Sequence, residues 1–259
     1  MVEAELSSGS ARMPAAGIDD PDYLRQRISP RCGDPLYLHL SDLLLALSET
    51  ASTAQPIVML DYGCGGSPYR PLFTNARYLR ADVPGTTNVD YEIGPDGLVT
   101  AAAGSFDLVL STQVLEHLPD AARYLRSCFD LLRPGGRLVL STHGTFEDHP
   151  CPEDFYRWTA DGLRKDVTAA GFAAVNVRKL TSDARALAFL LRTKLHLLCQ
   201  RRSGGFGLLF RVVNRVVYRM AAHFDRWCDR HFQACRVVGA GQPGHAMYIA
   251  LVVVAERPR

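Results

Sequence analysis

Short runs of apolar residues, separated by polar or glycine-rich turns and by amphipathic stretches, recur along most of the chain. The runs are apolar without alternation, which predicts strands buried on both faces of a mainly parallel sheet. Strands that alternate with helical stretches indicate an α/β fold, here a doubly wound, Rossmann-like seven-stranded sheet. The seven strands are predicted at Ile57–Leu60, at Tyr78–Ala81, within Asn88–Gly97, and at Phe106–Leu110, Arg137–Thr142, Ala173–Leu180 and Ala246–Ala255.

Stretches with apolar residues at helical spacing predict the helices that cover this sheet. Thr159 is a favoured N-cap residue, and Gly171 is typical of the position just past a helix end. The sequence Arg133-Pro134-Gly135-Gly136 is a stop signal for the helix before it. Helices are expected at Leu36–Ser48, from Tyr69–Asn75 and Gln113–Leu118 onward, at Ala121–Leu132, and after Thr159 as far as Ala170.

The chain between Asp183 and Gly244 is much longer than a connection between two adjacent strands requires. Two helices are predicted there, about Ala184–Gln200 and Leu208–Cys235, with arginines among apolar residues at helical spacing. This helical insertion before the last strand either packs on the domain or on a second subunit, or contacts lipid or a lipid-linked substrate. Neither run has the roughly 20 uninterrupted apolar residues that span a bilayer.

The predicted elements divide the chain into five parts. Residues 1–20, rich in Ser, Ala and Gly, are predicted to be disordered. An N-terminal helical cap (21–55), the core (56–182), the helical insertion (183–245) and the last strand with its tail (246–259) follow.

The composition is that of an ordinary globular protein, since 47% of the 259 residues are hydrophobic and 22% are charged. The net charge of +2 argues neither for nor against nucleic acid as a partner. No apolar run follows the first residues, so no signal peptide is apparent. The seven cysteines form no C-x-x-C pair, and the nearest two, Cys228 and Cys235, match no metal-binding spacing. Reduced thiols and a cytoplasmic location, with peripheral membrane contact as the alternative, are expected.

The most informative turn is Asp61-Tyr62-Gly63-Cys64-Gly65-Gly66-Ser67-Pro68, directly after the first predicted strand. Glycines allow a sharp turn and the close approach of a ligand because they have no Cβ. Pro68 stands where the dinucleotide-binding pattern has its last glycine, and no Lys followed by Ser or Thr makes a P-loop. Asp82 ends the second strand roughly 20 residues later, where a doubly wound fold binds the hydroxyls of a ribose.

Three motifs in this order resemble those of class I S-adenosylmethionine (SAM)-dependent methyltransferases, of the small-molecule and glycan type that includes methyltransferase domain 11. They are D-x-G-C-G-x-x-P at 61–68, F-D-x-V-x-S-x-x-V-L-E-H at 106–117, and L-R-P-G-G-x-L-V-L-S at 132–141. In this family an acid after the third strand often meets the adenine amino group, which points to Asp96. The resemblance implies that SAM, and its product S-adenosylhomocysteine, bind at Asp61, Gly63, Cys64, Gly65, Asp82, Val83, Asp96, Thr112 and Gln113.

The loop after the fifth strand, residues 143–159, concentrates histidines, acids and large aromatic residues at the ligand-binding edge of the sheet. Methyl transfer to a hydroxyl requires in-line alignment and the removal of a proton, a task that suits a histidine. His149 and His143 are therefore the candidate general bases. His117, in the second motif, is a third catalytic candidate, and a hydrogen-bonded structural role is its alternative.

Three other residues of this loop are predicted to bind the acceptor. Asp148 is expected to orient a histidine, and Tyr156 and Trp158 are expected to line the pocket with their rings, although each ring taken alone is better explained by ordinary packing. His143 and His149 with Asp148 as metal ligands is an alternative, but their spacing is loose and no metal is expected.

The sequence thus predicts a SAM-dependent methyltransferase that acts on a hydroxyl, or on an amine, of a small molecule, a glycan, a lipid-linked compound or a secondary metabolite. The alternative is a SAM-binding scaffold or regulator of the same fold without transferase activity. Nucleic acid is disfavoured as a partner because Ser111–Val114 stands where N-P-P-(Y/F) would be expected. A homodimer or a membrane contact through the helical insertion is a further expectation.

Overall fold

The computed structural model describes residues 20–149, 153–201 and 207–259. The segment predicted to be disordered, 1–20, lies outside these residues except for Asp20. Its side chain accepts a hydrogen bond from the Asp22 N–H and thereby caps the first helix.

One sheet of eight strands organises the molecule, and the predicted doubly wound α/β fold is confirmed. The strands are β1 (Ile57–Tyr62), β2 (Ala76–Asp82), β3 (Tyr91–Glu92), β4 (Phe106–Thr112), β5 (Leu132–His143), β6 (Ala173–Ser182), β7 (Val237–Gly239) and β8 (Tyr248–Glu256). Their order is β3-β2-β1-β4-β5-β8-β6-β7, and the first five are parallel to one another. β8 runs antiparallel to both β5 and β6. The prediction of seven strands was short by one, because the end of the insertion pairs antiparallel with β6 as β7.

Six helices accompany the sheet within the described residues: α1 (Pro21–Ile28), α2 (Tyr37–Ala51), α3 (Ala121–Leu131), α4 (Ala160–Ala169), α5 (Asp183–Arg201) and α6 (Gly207–His231). As predicted, Thr159 caps α4 by accepting a hydrogen bond from the Gly162 N–H. Asp120 caps α3 in the same way through the Arg123 N–H.

Two predicted helix starts are wrong. The segment Tyr69–Asn75 contains only a 3-10 turn at Arg70–Leu72, because few residues separate the end of β1 from the start of β2. Gln113–Leu118 likewise forms a 3-10 turn, and the helix begins only at Ala121. Gln113 has a φ of +56°, a left-handed conformation that does not continue into an α-helix.

Alternate residues of each central strand pack on opposite faces of the sheet. Leu60 and Tyr62 of β1 join a cluster that α3 and α4 cover. Met59, which precedes Leu60, faces the cluster that α2 covers through Leu43 and Leu47. Because both faces are covered, the carboxyl edge of the parallel strands remains as the place for a ligand.

The helical insertion is joined to the N-terminal helices by buried charges. Arg185 of α5 is fully buried and donates to Asp42 of α2, with 2.7 Å between Arg185 Nε and Asp42 Oδ2, and to Asp229 of α6. Arg236 donates to the other oxygen of Asp42. No helix in the described part of the chain is long and apolar enough to cross a membrane. The division of the chain into five parts stays a prediction.

Candidate active site

The glycine turn, Gly63–Gly66, follows β1 directly and contains backbone conformations that favour glycine. Gly63 has a φ of +79° and Gly65 a φ of +49°. A Cβ on Gly63 would lie 2.5 Å from Cγ2 of Val114, in the loop after β4. Gly63 therefore permits close packing between the loops after β1 and β4, in addition to the ligand approach that the sequence suggested.

Asp61, near the end of β1, is a buried acid, and one of its carboxylate oxygens has no hydrogen-bond partner among the described residues. Its Oδ2 accepts a hydrogen bond from the Tyr78 hydroxyl, and its Oδ1 has no partner among the residues that the structure describes. Burial raises the pKa of Asp61 to about 7. An oxygen that is buried and unpartnered next to the ligand edge fits a cationic or N–H donor from outside the chain.

Asp82, at the end of β2, stabilises the glycine turn by a hydrogen bond. Its carboxylate accepts hydrogen bonds from the backbone N–H groups of Gly65 and Val83, the latter over 2.7 Å. The Asp82 residue is 8% exposed, whereas Val83 is 52% exposed. Two predicted cofactor residues, Asp82 and Gly65, are thus in direct contact.

Gln113, directly after β4, contributes a second buried oxygen without a hydrogen-bond partner among the described residues. Gln113 Nε2 donates to Ser141 Oγ over 3.0 Å, while Gln113 Oε1 is buried without a partner among the described residues. Thr112 is half-buried beside it. Asp96 is different, because its exposed carboxylate pairs with Arg123 over 2.9 Å.

These groups fit SAM, which carries an ammonium group, two ribose hydroxyls and an adenine amine. The unpartnered oxygens of Asp61 and Gln113 can accept hydrogen bonds from such donors. The arrangement lies at the ends of the adjacent strands β1, β2 and β4, where doubly wound folds bind nucleotides.

His143 ends β5 and faces a buried acid. Its ring stacks on Phe146 at 4.1 Å, and its Nε2 lies 3.2 Å from Oε1 of Glu116. Glu116 is fully buried and accepts from Thr142 Oγ1 over 2.8 Å. Burial raises the pKa of Glu116 to about 7 and lowers that of His143, so each group favours its neutral form.

His149 lies next to His143 but closer to solvent. The two rings are 4.7 Å apart, and the ring of His117 is 4.9 Å from that of His149. His149 Nδ1 lies 3.5 Å from Oδ2 of Asp154. Burial and the neighbouring His117 lower the pKa of His149. The structure therefore brings the three predicted catalytic histidines into one cluster.

Asp154 and Arg157 were not predicted from the sequence. Arg157 forms two hydrogen bonds with the Asp154 carboxylate, each 2.6 Å long, and holds the pKa of Asp154 well below its ordinary value. Asp154 also accepts from the backbone N–H of His149. Asp154 is thus the acid beside His149, in the position that the sequence analysis gave to Asp148. The three-residue spacing of Asp154 and Arg157 was the available signal.

The predicted acceptor residues lie in different surroundings. Asp148 is exposed on the loop. Tyr156 is 40% exposed and donates its hydroxyl to the Pro119 carbonyl, whereas Trp158 is 8% exposed and donates its indole N–H to Asp166. Their role toward an acceptor stays a prediction.

The cluster also brings together side chains of the kinds that bind metal ions. One oxygen of Glu116 and one ring nitrogen each of His143 and His149 lie within 4.8 Å of one another. The partner of the histidines is then Glu116, rather than the Asp148 of the metal alternative drawn from the sequence. The expectation that no metal is required stays a prediction.

The strand order, the antiparallel β8 and the glycine turn after β1 define the fold of the class I methyltransferases. A sequence model described as "Methyltransferase domain" matches residues 35–177, more than half of the chain. The chain therefore belongs to the methyltransferase domain family, and the predicted membership of the class I SAM-dependent methyltransferases is confirmed. Within this family the cofactor is SAM.

Among curated proteins, the chain is similar to ubiquinone biosynthesis O-methyltransferases. It is 47% identical over 55 residues to the one from Xanthomonas axonopodis pv. citri, covering 21% of this chain and 23% of that protein. It is 33% identical over 100 residues to the one from Cereibacter sphaeroides, covering 32% and 40%. The chain thus matches less than half the length of these relatives.

Among solved structures, phosphoethanolamine N-methyltransferase 2 from Haemonchus contortus, in complex with SAM, has a TM-score of 0.57 and 14% identity. The match covers 96% of this chain and 58% of that one. The [4+2]-cyclase SpnF has a TM-score of 0.53 and 17% identity, with 87% and 85% covered. Both likenesses concern the fold.

Proposed function

We propose that the protein transfers the methyl group of SAM to a hydroxyl of a small-molecule acceptor, with His149 as the general base. The observation that carries the proposal is the cluster of His149, Asp154, His143 and Glu116 at the carboxyl end of β5. This cluster lies beside the loop after β4, which contributes both Gln113 to the cofactor side and Glu116 to the cluster.

On the cofactor side, the sulfonium of SAM supplies an electrophilic methyl group when it is bound. Asp61 and Gln113 would accept hydrogen bonds from the ammonium group or the adenine amine of SAM through their unpartnered oxygens, and Asp82 would accept from the ribose hydroxyls. Asp82 now holds the N–H groups of Gly65 and Val83, so the ribose would share the carboxylate with the turn. Gly63, Cys64, Thr112 and Asp96 complete the proposed cofactor set.

On the acceptor side, a lowered pKa keeps the His149 imidazole neutral near pH 7, which is the form that accepts a proton. Asp154 Oδ2, 3.5 Å from Nδ1 of His149, would stabilise the ring once it is protonated. The ring of His143 is nearly buried against Phe146, so it positions His149 rather than meeting the acceptor. Asp148 and Tyr156 are exposed enough to contact an acceptor.

The names of the curated relatives favour a hydroxyl over an amine, since they are O-methyltransferases. A glycan, a lipid-linked compound or a secondary metabolite that bears a hydroxyl is compatible with the same base. An amine is the alternative acceptor, because a neutral amine needs no base in order to attack.

The test has two stages. Calorimetric titration of the purified protein with SAM and with S-adenosylhomocysteine is expected to show binding of both. Incubation with methyl-labelled SAM and separate panels of phenolic, glycan and amine acceptors is then expected to label a hydroxyl compound. Binding without incorporation into any panel would favour a scaffold, or a reaction other than methyl transfer, as the [4+2]-cyclase SpnF shows for this fold.

The insertion supports a proposal about partners. Leu187, Leu191 and Leu195 of α5 recur every fourth residue and are between 49% and 59% exposed, so they form one apolar stripe on the helix. Such a stripe suits a second copy of the chain or a membrane surface. Light scattering, and co-sedimentation with vesicles that contain anionic lipid, would distinguish a dimer from a membrane contact.

A further inference from the structure

A second cluster of metal-ligating side chains, at the base of the helical insertion, shares no residue with the cluster of the candidate active site. Asp183 is the first residue of α5, Cys235 follows α6, and His245 precedes β8. One ligand atom of each of the three lies within 4.8 Å of the other two. His245 Nδ1 is 2.9 Å from Asp183 Oδ2. The cluster thus joins both ends of the insertion to the start of the last strand.

The backbone holds these residues in place. Thr181 and Asp183 have φ values of +52° and +45°, a left-handed conformation that residues other than glycine rarely adopt. The Asp183 N–H donates to the Met247 carbonyl over 2.9 Å, and the Thr181 N–H donates to the Arg236 carbonyl over the same distance. These two hydrogen bonds fix Asp183 between the segments that carry Cys235 and His245.

Side-chain hydrogen bonds tighten the same junction. Ser182 Oγ donates to the Cys235 carbonyl over 3.1 Å and lies 3.0 Å from His245 Nδ1. Lys179 Nζ donates to the His245 carbonyl over 2.6 Å. Ser182 and Lys179 therefore set the backbone positions of Cys235 and His245, and the imidazole Nδ1 of His245 faces both Ser182 Oγ and the Asp183 carboxylate.

The chemistry of the three side chains matches zinc. A thiolate, an imidazole and a carboxylate form one of the ligand sets that zinc binds at about 2.0 to 2.3 Å. Two ligand atoms at that distance from one ion are about 3 Å apart, as are His245 Nδ1 and Asp183 Oδ2. The His245 side chain is 13% exposed and that of Asp183 is 28% exposed, which leaves room for water as a fourth ligand.

We propose that Asp183, Cys235 and His245 bind one zinc ion, which closes the base of the helical insertion. The ion would tie residues that are far apart in sequence, and such a link restricts the unfolded chain. The wide separation of the three residues also explains why no cysteine spacing in the sequence indicated a metal. The site is separate from the proposed catalytic cluster, so this proposal does not depend on the proposed function.

The first experiment measures metal content. The full chain, produced in zinc-supplemented medium and dialysed against metal-free buffer, is expected to retain about one zinc ion per chain by plasma mass spectrometry. Cys235→Ser and His245→Ala are expected to lose most of it. Cys32→Ser, which removes another half-buried cysteine, and His149→Ala, which removes a ligand candidate of the active-site cluster, are expected to retain it.

The second experiment identifies the ligand atom. Cobalt exchanged into the wild-type chain is expected to show a thiolate-to-cobalt absorption band that Cys235→Ser loses and Cys32→Ser keeps. Circular dichroism establishes that each variant is folded. If Cys235→Ser fails to fold, zinc protection of Cys235 against alkylation, mapped by peptide mass spectrometry on the wild-type chain, replaces it. Absence of zinc and of the cobalt band from the wild-type chain, or equal zinc in Cys235→Ser and Cys32→Ser, would overturn the proposal.

Discussion

The two sides of the candidate active site are built differently. On the cofactor side, the ends of single strands present a few buried oxygens that have no partner among the described residues, as at Asp61 and Gln113. On the acceptor side, the end of β5 and its loop fold back onto the loop after β4 and pack histidines against acids, as at His143 and Glu116. The difference suggests separable roles, binding on one side and proton transfer on the other. Substitutions on each side, and at the contacts between them, test that separation.

Replacing the proposed base should reduce the rate without changing cofactor binding. His149→Ala is expected to lower kcat about 10²–10⁴-fold on the acceptor found by incorporation, because proton removal is lost. The dissociation constant for SAM, measured by calorimetry, should stay unchanged. His143→Ala should lose less, since its ring positions that of His149. Near-normal rates in both variants would indicate that His117 or Glu116 is the general base instead.

The pH profile of the wild-type enzyme gives an independent check on His149. The neutral imidazole is the active form, so the rate should fall as the pH drops through the pKa of His149. Because that pKa is lowered from its ordinary 6.5, the acid limb is expected below pH 6.5. Glu116, with a pKa raised to about 7, can add a second ionisation. Glu116→Gln removes that ionisation and should leave the limb of His149 in place.

Both sides of the candidate site depend on the same fold. Removing the buried ion pairs between α2 and the helical insertion should therefore lower the free energy of unfolding rather than cofactor binding or proton transfer alone. Asp42→Ala leaves the guanidinium groups of Arg185 and Arg236 without their common carboxylate. The expected loss of unfolding free energy, from urea denaturation, is about 3–5 kcal/mol. Glu49→Ala, on the same helix, removes an exposed carboxylate that pairs with Arg178 and should cost less than about 1 kcal/mol. Equal losses would show that the buried charges do not hold the insertion.

Asp82→Ala should weaken cofactor binding and leave the acceptor side intact. Loss of charge-assisted hydrogen bonds is expected to cost about 1.5–3 kcal/mol, which is roughly one to two decades in the dissociation constant for SAM. Asp90→Ala is the matched control, because this exposed acid also accepts from a backbone N–H, that of Arg80, over 2.8 Å. Unchanged SAM affinity in Asp82→Ala would contradict the ribose assignment.

Gly63→Ala should show that the two sides are packed together where their loops meet. The new Cβ would lie 2.5 Å from Val114 Cγ2, and overpacking of this kind costs about 1–3 kcal/mol. Gly85→Ala controls for conformation, because Gly85 also has a positive φ but no atom within 4 Å of the added Cβ. The difference in melting temperature between the variants measures the contact with Val114. No difference would mean that Val114 moves aside freely.

The sequence determined the fold and most of the cofactor side. Apolar runs without alternation predict β1, β4 and β5, because a strand covered on both faces has no solvent-exposed side that would require polar residues. The turn at 61–68 and Asp82, which contact each other, could be identified as candidates because they are adjacent, or one crossover apart, in the chain. Local turn chemistry likewise identified Thr159 as a helix cap.

The contacts between side chains that are distant in sequence became visible in the folded chain alone. Glu116 faces His143, Asp154 takes the place beside His149 that Asp148 was expected to occupy, and no local pattern encodes either pairing. The strand β7 was not predictable for the same reason. Val237–Gly239 is too short to be identified from its sequence, and it is a strand because it pairs with β6. Residues near in sequence are placed by backbone geometry, whereas residues far apart are brought together only by the packing of the whole chain.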